Sequence, residues 1–128
     1  MNQSAPKTLD LHFLQLDLQD LASVKAAATQ FTKTENRLDI LINNAGVMTV
    51  PFKLTGDGFE TQWQVNYLAP HVFTMTLMPL LLSTASFAGR MDRVRVVNVS
   101  SDAAFFGPKT LQLWDVNMTD TKGMLELW

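Results

Sequence analysis

The chain has 128 residues and a formal net charge of −2, from 10 Lys and Arg against 12 Asp and Glu. This balance provides no basic surface for a phosphate backbone, so we expect no nucleic-acid partner. The content of 47% hydrophobic and 17% charged residues is globular and excludes a disordered or collagen-like chain. Cysteine is absent, which excludes disulfides, thiolate metal ligands and a cysteine nucleophile.

The first ten residues are polar and contain Pro6, so residues 1–10 are interpreted as an N-terminal tail. This tail lacks the apolar region of a secretory signal, and we expect a cytoplasmic protein. The most apolar stretch, residues 67–82, contains two prolines and is shorter than the about 20 apolar residues that span a bilayer. It predicts a buried helix and no membrane span.

Three apolar runs predict strands, and a helix is predicted between the first two. Residues 12–18 alternate apolar and polar side chains, as a strand does. Asp20 suits a helix N-cap, and apolar residues then recur at helical spacing over residues 21–31. Residues 40–42 form a continuous aliphatic run, typical of a parallel strand that is covered on both faces. Residues 93–99 form the third predicted strand.

A second helix is predicted between the second and third strands. Asp57 and Glu60 have the spacing of a capping box, which predicts a helix that opens near Gly58. The helix would continue through Asn66 and bend near Pro70, because proline removes a helix hydrogen bond.

The resulting order β-α-β-α-β predicts an α/β protein with a partial doubly wound, Rossmann-like parallel sheet and right-handed crossovers. We assign residues 11–104 to this domain and residues 105–128 to an irregular C-terminal segment.

Polar residues follow each predicted strand, where doubly wound sheets bind their ligands. The Asp17 carboxylate can accept a hydrogen bond from an amino group such as that of adenine, and the Ser101 hydroxyl can bond a substrate oxygen. Asn43 and Asn44 end the second strand, and Gly46 then lets a ligand approach the backbone. Each residue also has a plainer interpretation, as a solvated carboxylate, turn-forming amides or a strand-end serine.

Six segments in chain order, spread over residues 11–101, carry a family resemblance. They are Leu-Asp-Leu at 16–18, Leu-Asp-Ile-Leu-Ile-Asn-Asn-Ala-Gly-Val-Met at 38–48, Thr-Gly-Asp-Gly-Phe-Glu at 55–60, Val-Asn-Tyr-Leu at 65–68, Leu-Met-Pro-Leu-Leu at 77–81 and Arg-Val-Val-Asn-Val-Ser-Ser at 95–101. The chain thereby resembles the short-chain dehydrogenase/reductases, and within them the branch similar to retinol dehydrogenases and to the WW-domain-containing oxidoreductase.

The resemblance implies an oxidoreductase that interconverts an alcohol and a ketone or aldehyde with NAD or NADP, with NADP slightly favoured by the branch. It implies that Asn44 steadies the central strands. The remaining implied roles are adenine contacts for Asp17 and Leu18, contacts with the adenosine ribose for Asn43, Ala45 and Gly46, a nicotinamide contact for Val99, a relay water for Asn66 and the substrate oxygen for Ser101.

Several family features have no counterpart in this sequence. No subset of the six glycines has the spacing of the pyrophosphate-binding turn, and the first two strands and everything after the fifth are missing. The family's catalytic tyrosine is followed by lysine four residues later, but the single tyrosine here, Tyr67, is followed by His71. We interpret Tyr67 as a packing residue. The two histidines are too few for a metal site.

Two interpretations therefore stay open. The chain is either the central part of an oxidoreductase, inactive alone, or a non-catalytic truncated or pseudoenzyme product that at most binds a partner. In both cases the strands at 40–42 and 94–99 would each lack a neighbour, and unpaired edges favour self-association.

Overall fold

The computed structural model describes residues 10–87, 94–106, 113–117 and 119. Most of the predicted N-terminal tail and much of the predicted C-terminal segment therefore lie outside the described residues. The elements, in chain order, are α1 (Leu21–Thr34), β1 (Ile40–Asn43), α2 (Thr61–Trp63), a π-helical segment (Gln64–Leu68), α3 (Ala69–Phe87), β2 (Arg95–Asn98) and a 3₁₀ helix (Asp102–Phe106). The predicted α/β class is confirmed.

The N-terminus of α1 is capped as predicted. The Asp20 carboxylate accepts hydrogen bonds from the backbone N–H groups of Ala22 and Ser23, at 2.8 and 3.2 Å. These are two of the four N–H groups that have no partner inside a helix. The helix buries one face through Val24, Ala27 and Ala28.

The second and third predicted strands form a parallel pair in which Ile40 is opposite Arg95 and Asn43 is opposite Asn98. The ladder extends beyond both strand ends, since Val99 N–H donates to the Asn43 carbonyl at 3.0 Å. Burial corrects one expectation: Leu41 is buried, whereas Ile40 is 56% exposed. Within the described residues β1 is therefore covered on one face, not on both.

The core lies between this covered face of the sheet and two helices. Leu77 and Leu81 of α3 are 1% and 3% exposed and cluster with Ala28 of α1 and Leu41 of β1. Helices α1 and α3 thus pack on the same side of β1, and their contact fixes where the carboxyl end of β1 meets the start of the long helix. Partly buried side chains complete the cluster: Phe31, Leu38, Phe73, Met78 and Val94.

The first predicted strand is wrong. Residues 10–17 form neither helix nor strand, and a turn follows at residues 18–19. Phe13, which alternation would place on one face of a strand, is 92% exposed. A strand needs a neighbour for its N–H and C=O groups, and none pairs with this segment in the described part of the chain. Instead, Asp17 N–H donates to the Ser23 hydroxyl at 3.1 Å.

The predicted opening of the second helix near Gly58 is also wrong. Gly58 has a φ of 84°, which lies in the left-handed region and is incompatible with a helix start. The helix begins at Thr61, and Glu60 is its N-cap, with a carboxylate that accepts from Trp63 N–H at 2.8 Å. Asp57 has a different role, described below.

The predicted bend near Pro70 takes the form of a widened helical turn. Ala69 N–H donates to the carbonyl of Gln64, five residues earlier, within the π-helical segment that directly precedes Pro70. Proline has no N–H to give to the carbonyl four residues before it, here that of Asn66. The wide turn is where the chain adapts to that missing donor.

The continuous helical stretch Thr61–Phe87 has 27 residues and a mean hydropathy of 1.3 in its most apolar window, enough by length and composition to cross a membrane. This helical stretch is longer than the apolar stretch at residues 67–82, from whose length no membrane span was expected. Core helices share these properties, and Leu77 and Leu81 of this stretch are buried against α1 and β1.

Candidate functional site

A cleft of about 680 Å³ opens at the carboxyl ends of β1 and β2. Its walls are residues 43–48 after β1, residues 98–101 after β2 and one side of the helical stretch that starts at Thr61. Six residues singled out in the sequence line it together: Asn43, Ala45, Gly46, Asn66, Val99 and Ser101. The parallel pairing explains this, because both strands end at the same edge of the sheet.

Asn43 ties the three walls together. Its Nδ2 donates to Thr74 Oγ1 of α3 at 3.0 Å and to Asn98 Oδ1 of β2 at 2.8 Å. Both protons of the amide nitrogen are thereby used. Asn44, to which the resemblance gives the steadying role, is exposed. In this structure that role is performed by Asn43.

Asn66 fixes the turn that follows β1. Its Oδ1 accepts from Val47 N–H and its Nδ2 donates to the Val47 carbonyl, both at 2.8 Å. A Cβ added at Gly46 would lie 3.0 Å from that Oδ1. The close approach of the Asn66 side chain thus favours glycine at position 46, which is a second reason besides the ligand access expected from the sequence.

These hydrogen bonds affect how Asn66 could bind the relay water that the family resemblance implies. Val47 bonds both the Nδ2 and the Oδ1 of the side-chain amide. The main-chain carbonyl of Asn66 has no N–H donor four residues later, since that residue is Pro70. The side chain therefore acts as a brace for the turn, and the irregular backbone turn is what the helix presents at this point.

Ser101 follows β2 at the mouth of the cleft. Its hydroxyl donates to Asp102 Oδ1 at 3.3 Å, and its carbonyl accepts from Ala104 N–H at 3.2 Å at the start of the 3₁₀ helix. The residue is exposed. A hydroxyl in this position can both donate to and accept from a ligand oxygen.

An aromatic row that the sequence analysis did not assign to the site borders the same cleft. Tyr67 lies 4.6 Å from the ring of Trp63 and 6.3 Å from that of His71, with an interplanar angle of 13° to the histidine. Tyr67 is 55% exposed and, with His71, lines the cleft. The spacing of four residues was the available signal, because such residues are neighbours on a helix.

Among the described residues, the cleft lining contains no Lys, Arg, Asp or Glu, so ligand contacts there would come from amides, hydroxyls, the His71 imidazole and backbone groups. Arg37 precedes β1 and is not among the residues that line the cleft. Its Nε donates to Asp39 Oδ2 at 2.7 Å, and this hydrogen bond and the charge of Asp39 raise the pKa of Arg37. No group of three His, Asp or Glu side chains suited to a metal ion occurs in the described part of the chain.

Asp17 and Leu18 are not among the residues that line the cleft. The Asp17 carboxylate accepts from Gln19 N–H at 2.9 Å in a local turn. The structure thus gathers six of the eight predicted site residues and leaves these two in the segment that does not form a strand.

The sequence model of a family described as short chain dehydrogenase matches residues 2–113. The chain belongs to the short-chain dehydrogenase family. Among its relatives, a short-chain dehydrogenase/reductase of Aspergillus calidoustus, drtF, is 49% identical over 87% of this chain and 36% of its own length. Human retinol dehydrogenase 12 is 45% identical over 73% of this chain and 27% of its own length. The resemblance to retinol dehydrogenases is confirmed.

Two solved structures share the fold of this short-chain dehydrogenase chain. An uncharacterized protein of Mycobacterium paratuberculosis has a TM-score of 0.58 and 41% identity over 80% of this chain and 32% of its own. The NADPH-bound carbonyl reductase from chicken fatty liver has a TM-score of 0.54 and 27% identity over 82% of this chain and 42% of its own. The chain thus spans about a third of the length of the curated relatives named here.

Proposed function

We propose that this chain forms the central part of an NAD(P)-dependent oxidoreductase that interconverts an alcohol and a ketone or aldehyde. The observation that carries the proposal is that Asn43, Gly46, Asn66, Val99 and Ser101 line one cleft at the carboxyl ends of β1 and β2. The reaction class follows from family membership. The reaction also needs cofactor-binding and substrate-orienting residues in one cleft, and these residues meet there.

The ligand of this cleft is a nicotinamide dinucleotide, with NADP slightly favoured over NAD. A solved neighbour is described as NADPH-bound. Ala45 and Gly46 offer backbone without bulky side chains for the ribose, and Val99, whose N–H donates to the Asn43 carbonyl, would contact the nicotinamide. When bound, the cofactor supplies or accepts a hydride. Asp17 and Leu18 would contact its adenine from outside the cleft.

Within the proposed reaction Ser101 is the group that orients the substrate oxygen, because its hydroxyl stands at the cleft mouth. The Asn66 side chain holds the loop at Val47, to which both polar atoms of its amide are bonded. The relay water would therefore be bound by the irregular helical backbone at Asn66. The chain contains no Tyr-x-x-x-Lys pair, so we propose that the 128 residues alone do not turn over substrate.

The second candidate is a non-catalytic product that binds at most a partner. The feature in its favour is that same missing pair, together with the exposed apolar residues Ile40 and Ile42 of β1. Self-association through these sheet surfaces belongs to both candidates, and so does a cytoplasmic location.

A chimera separates the two candidates. Residues 11–106 would replace the matching part of the Aspergillus calidoustus relative, which is 49% identical. We expect NAD(P)-dependent turnover of a carbonyl substrate in the chimera and none in the 128-residue chain. Ser101→Ala should lower kcat of the chimera by roughly 10²-fold or more, the scale on which proton transfer and oxygen-orienting groups act, with little change in cofactor affinity.

The matched control is Ser83→Ala, at an exposed serine of α3 outside the cleft lining, which should keep kcat. A folded, cofactor-binding chimera without turnover would favour the non-catalytic candidate. Near-normal kcat in Ser101→Ala would overturn the role of Ser101.

A further inference from the structure

Gln64 is the most deeply buried polar side chain in the described part of the molecule. It is 0% exposed, and each polar atom of its amide has a partner. Nε2 donates to Asp57 Oδ2 at 2.8 Å and to the Leu18 carbonyl at 3.3 Å, and Oε1 accepts from the Thr55 hydroxyl. A buried amide is costly unless it is paired, so this network fixes the geometry of all its members.

Asp57 extends the network to the start of α1. The same Oδ2 that accepts from Gln64 also accepts from Leu21 N–H at 2.9 Å, across 36 residues of sequence. The Asp20 carboxylate accepts from the N–H groups of Ala22 and Ser23, and Asp20 N–H donates to the Asp17 carbonyl at 3.3 Å. The four N–H groups that the start of α1 leaves without intrahelical partners, those of residues 20–23, are therefore all satisfied, and Asp57 satisfies that of Leu21.

The network surrounds the Asp17–Leu18 segment. Because residues 10–17 form no strand, the Asp17 carboxylate is oriented by local bonds in place of a β-ladder: it accepts from Gln19 N–H, and Asp17 N–H donates to the Ser23 hydroxyl. The Leu18 carbonyl is held by Gln64, and the helix start three residues later is held by Asp57. The wide π-helical turn begins at Gln64 and also contains Asn66, so one irregular turn contacts both this segment and the loop after β1.

We propose that Gln64 and Asp57 are positioning residues that aim Asp17 at the amino group of the cofactor's adenine. This rests on the proposed function, in which Asp17 contacts adenine. The two residues do not touch the ligand themselves. They determine which base the site prefers, because they hold the backbone of the Asp17–Leu18 segment where no β-ladder does so.

The test is a base-specificity ratio, measured on the 128-residue chain by NMR titration. The probes are ADP and inosine diphosphate, in which a carbonyl oxygen replaces the amino group of adenine. A carboxylate that accepts from the amino group should favour ADP by roughly tenfold in Kd. In Gln64→Met, which keeps the side-chain length and removes the amide, the ratio should fall towards one. Asp57→Ala should act in the same direction, and Asp57→Asn, which keeps one oxygen acceptor, should fall between.

The matched control is Gln30→Met, at an exposed glutamine of α1, which should keep the wild-type ratio. A purely structural role for Gln64 would weaken both nucleotides alike and leave the ratio unchanged, which overturns the proposal. If Gln64→Met keeps the full preference for ADP, the positioning role of Gln64 is overturned, while the adenine contact of Asp17 still stands. A wild-type chain that binds neither nucleotide, or both equally, overturns it together with the adenine contact of Asp17.

Discussion

The two ends of the predicted cofactor site differ sharply in how they are built. At the cleft end, β1 and β2 pair in parallel, and Asn43 and Asn66 hold the loops that leave them. At the adenine end, residues 12–18 have the sequence of a strand but not its structure, and Phe13 is 92% exposed. Both ends carry residues that match the same family.

The difference shows what a strand requires beyond an alternating sequence. Alternation describes two faces, and it stabilises a strand only where one face packs and the backbone groups have a neighbour. Residues 40–43 have both, in Leu41 and in β2. Residues 12–18 have no strand neighbour in the described part of the chain, and only Leu14 and Leu18 are partly buried there. The segment is held by the Ser23 hydroxyl, which accepts from Asp17 N–H, and by Gln64 Nε2, which donates to the Leu18 carbonyl.

The largest expected effect comes from truncating one apolar side chain in each region. Leu77→Ala removes a side chain that is 1% exposed at the centre of the core, and should lower the free energy of unfolding by about 2–5 kcal/mol. Phe13→Ala removes a larger side chain from the unpaired segment and should change it by less than about 0.5 kcal/mol. Urea unfolding measures both, and comparable losses in the two variants would show that residues 12–18 are packed after all.

The sequence predicted the cleft end of the molecule better than residues 12–18. The cap at Asp20 and the strand at residues 40–42 depend on local chemistry and on parallel pairing, and these predictions are confirmed. Of the polar residues predicted to follow the strands, those after β1 and β2 line one cleft and Asp17 does not. The helix start was misplaced because the capping-box spacing of Asp57 carries no information on the positive φ of Gly58. The π-helical turn and the burial of Gln64 depend on contacts between distant segments, which no local pattern encodes.

A smaller effect is expected from substituting the two adjacent asparagines, which sharpens the description of the cleft end. Asn43→Ala removes two hydrogen bonds that join β1 to β2 and α3, and should lower the free energy of unfolding by about 1–2 kcal/mol. Asn44→Ala, at an exposed position, is the matched control and should cost less than about 0.5 kcal/mol. Equal losses, or a larger one for Asn44, would return the steadying role to Asn44.

The central claim, that the cleft after β1 and β2 holds the dinucleotide, is tested most directly by titrating the 128-residue chain with NADPH and following backbone amide shifts. We expect shifts at Gly46, Val47, Val99 and Ser101. They should weaken in Gly46→Ala, whose new Cβ meets Asn66 at 3.0 Å, and persist in Gly56→Ala, where nothing lies within 4 Å. Shifts that are absent from the cleft, or that are identical in the two glycine variants, would contradict the account.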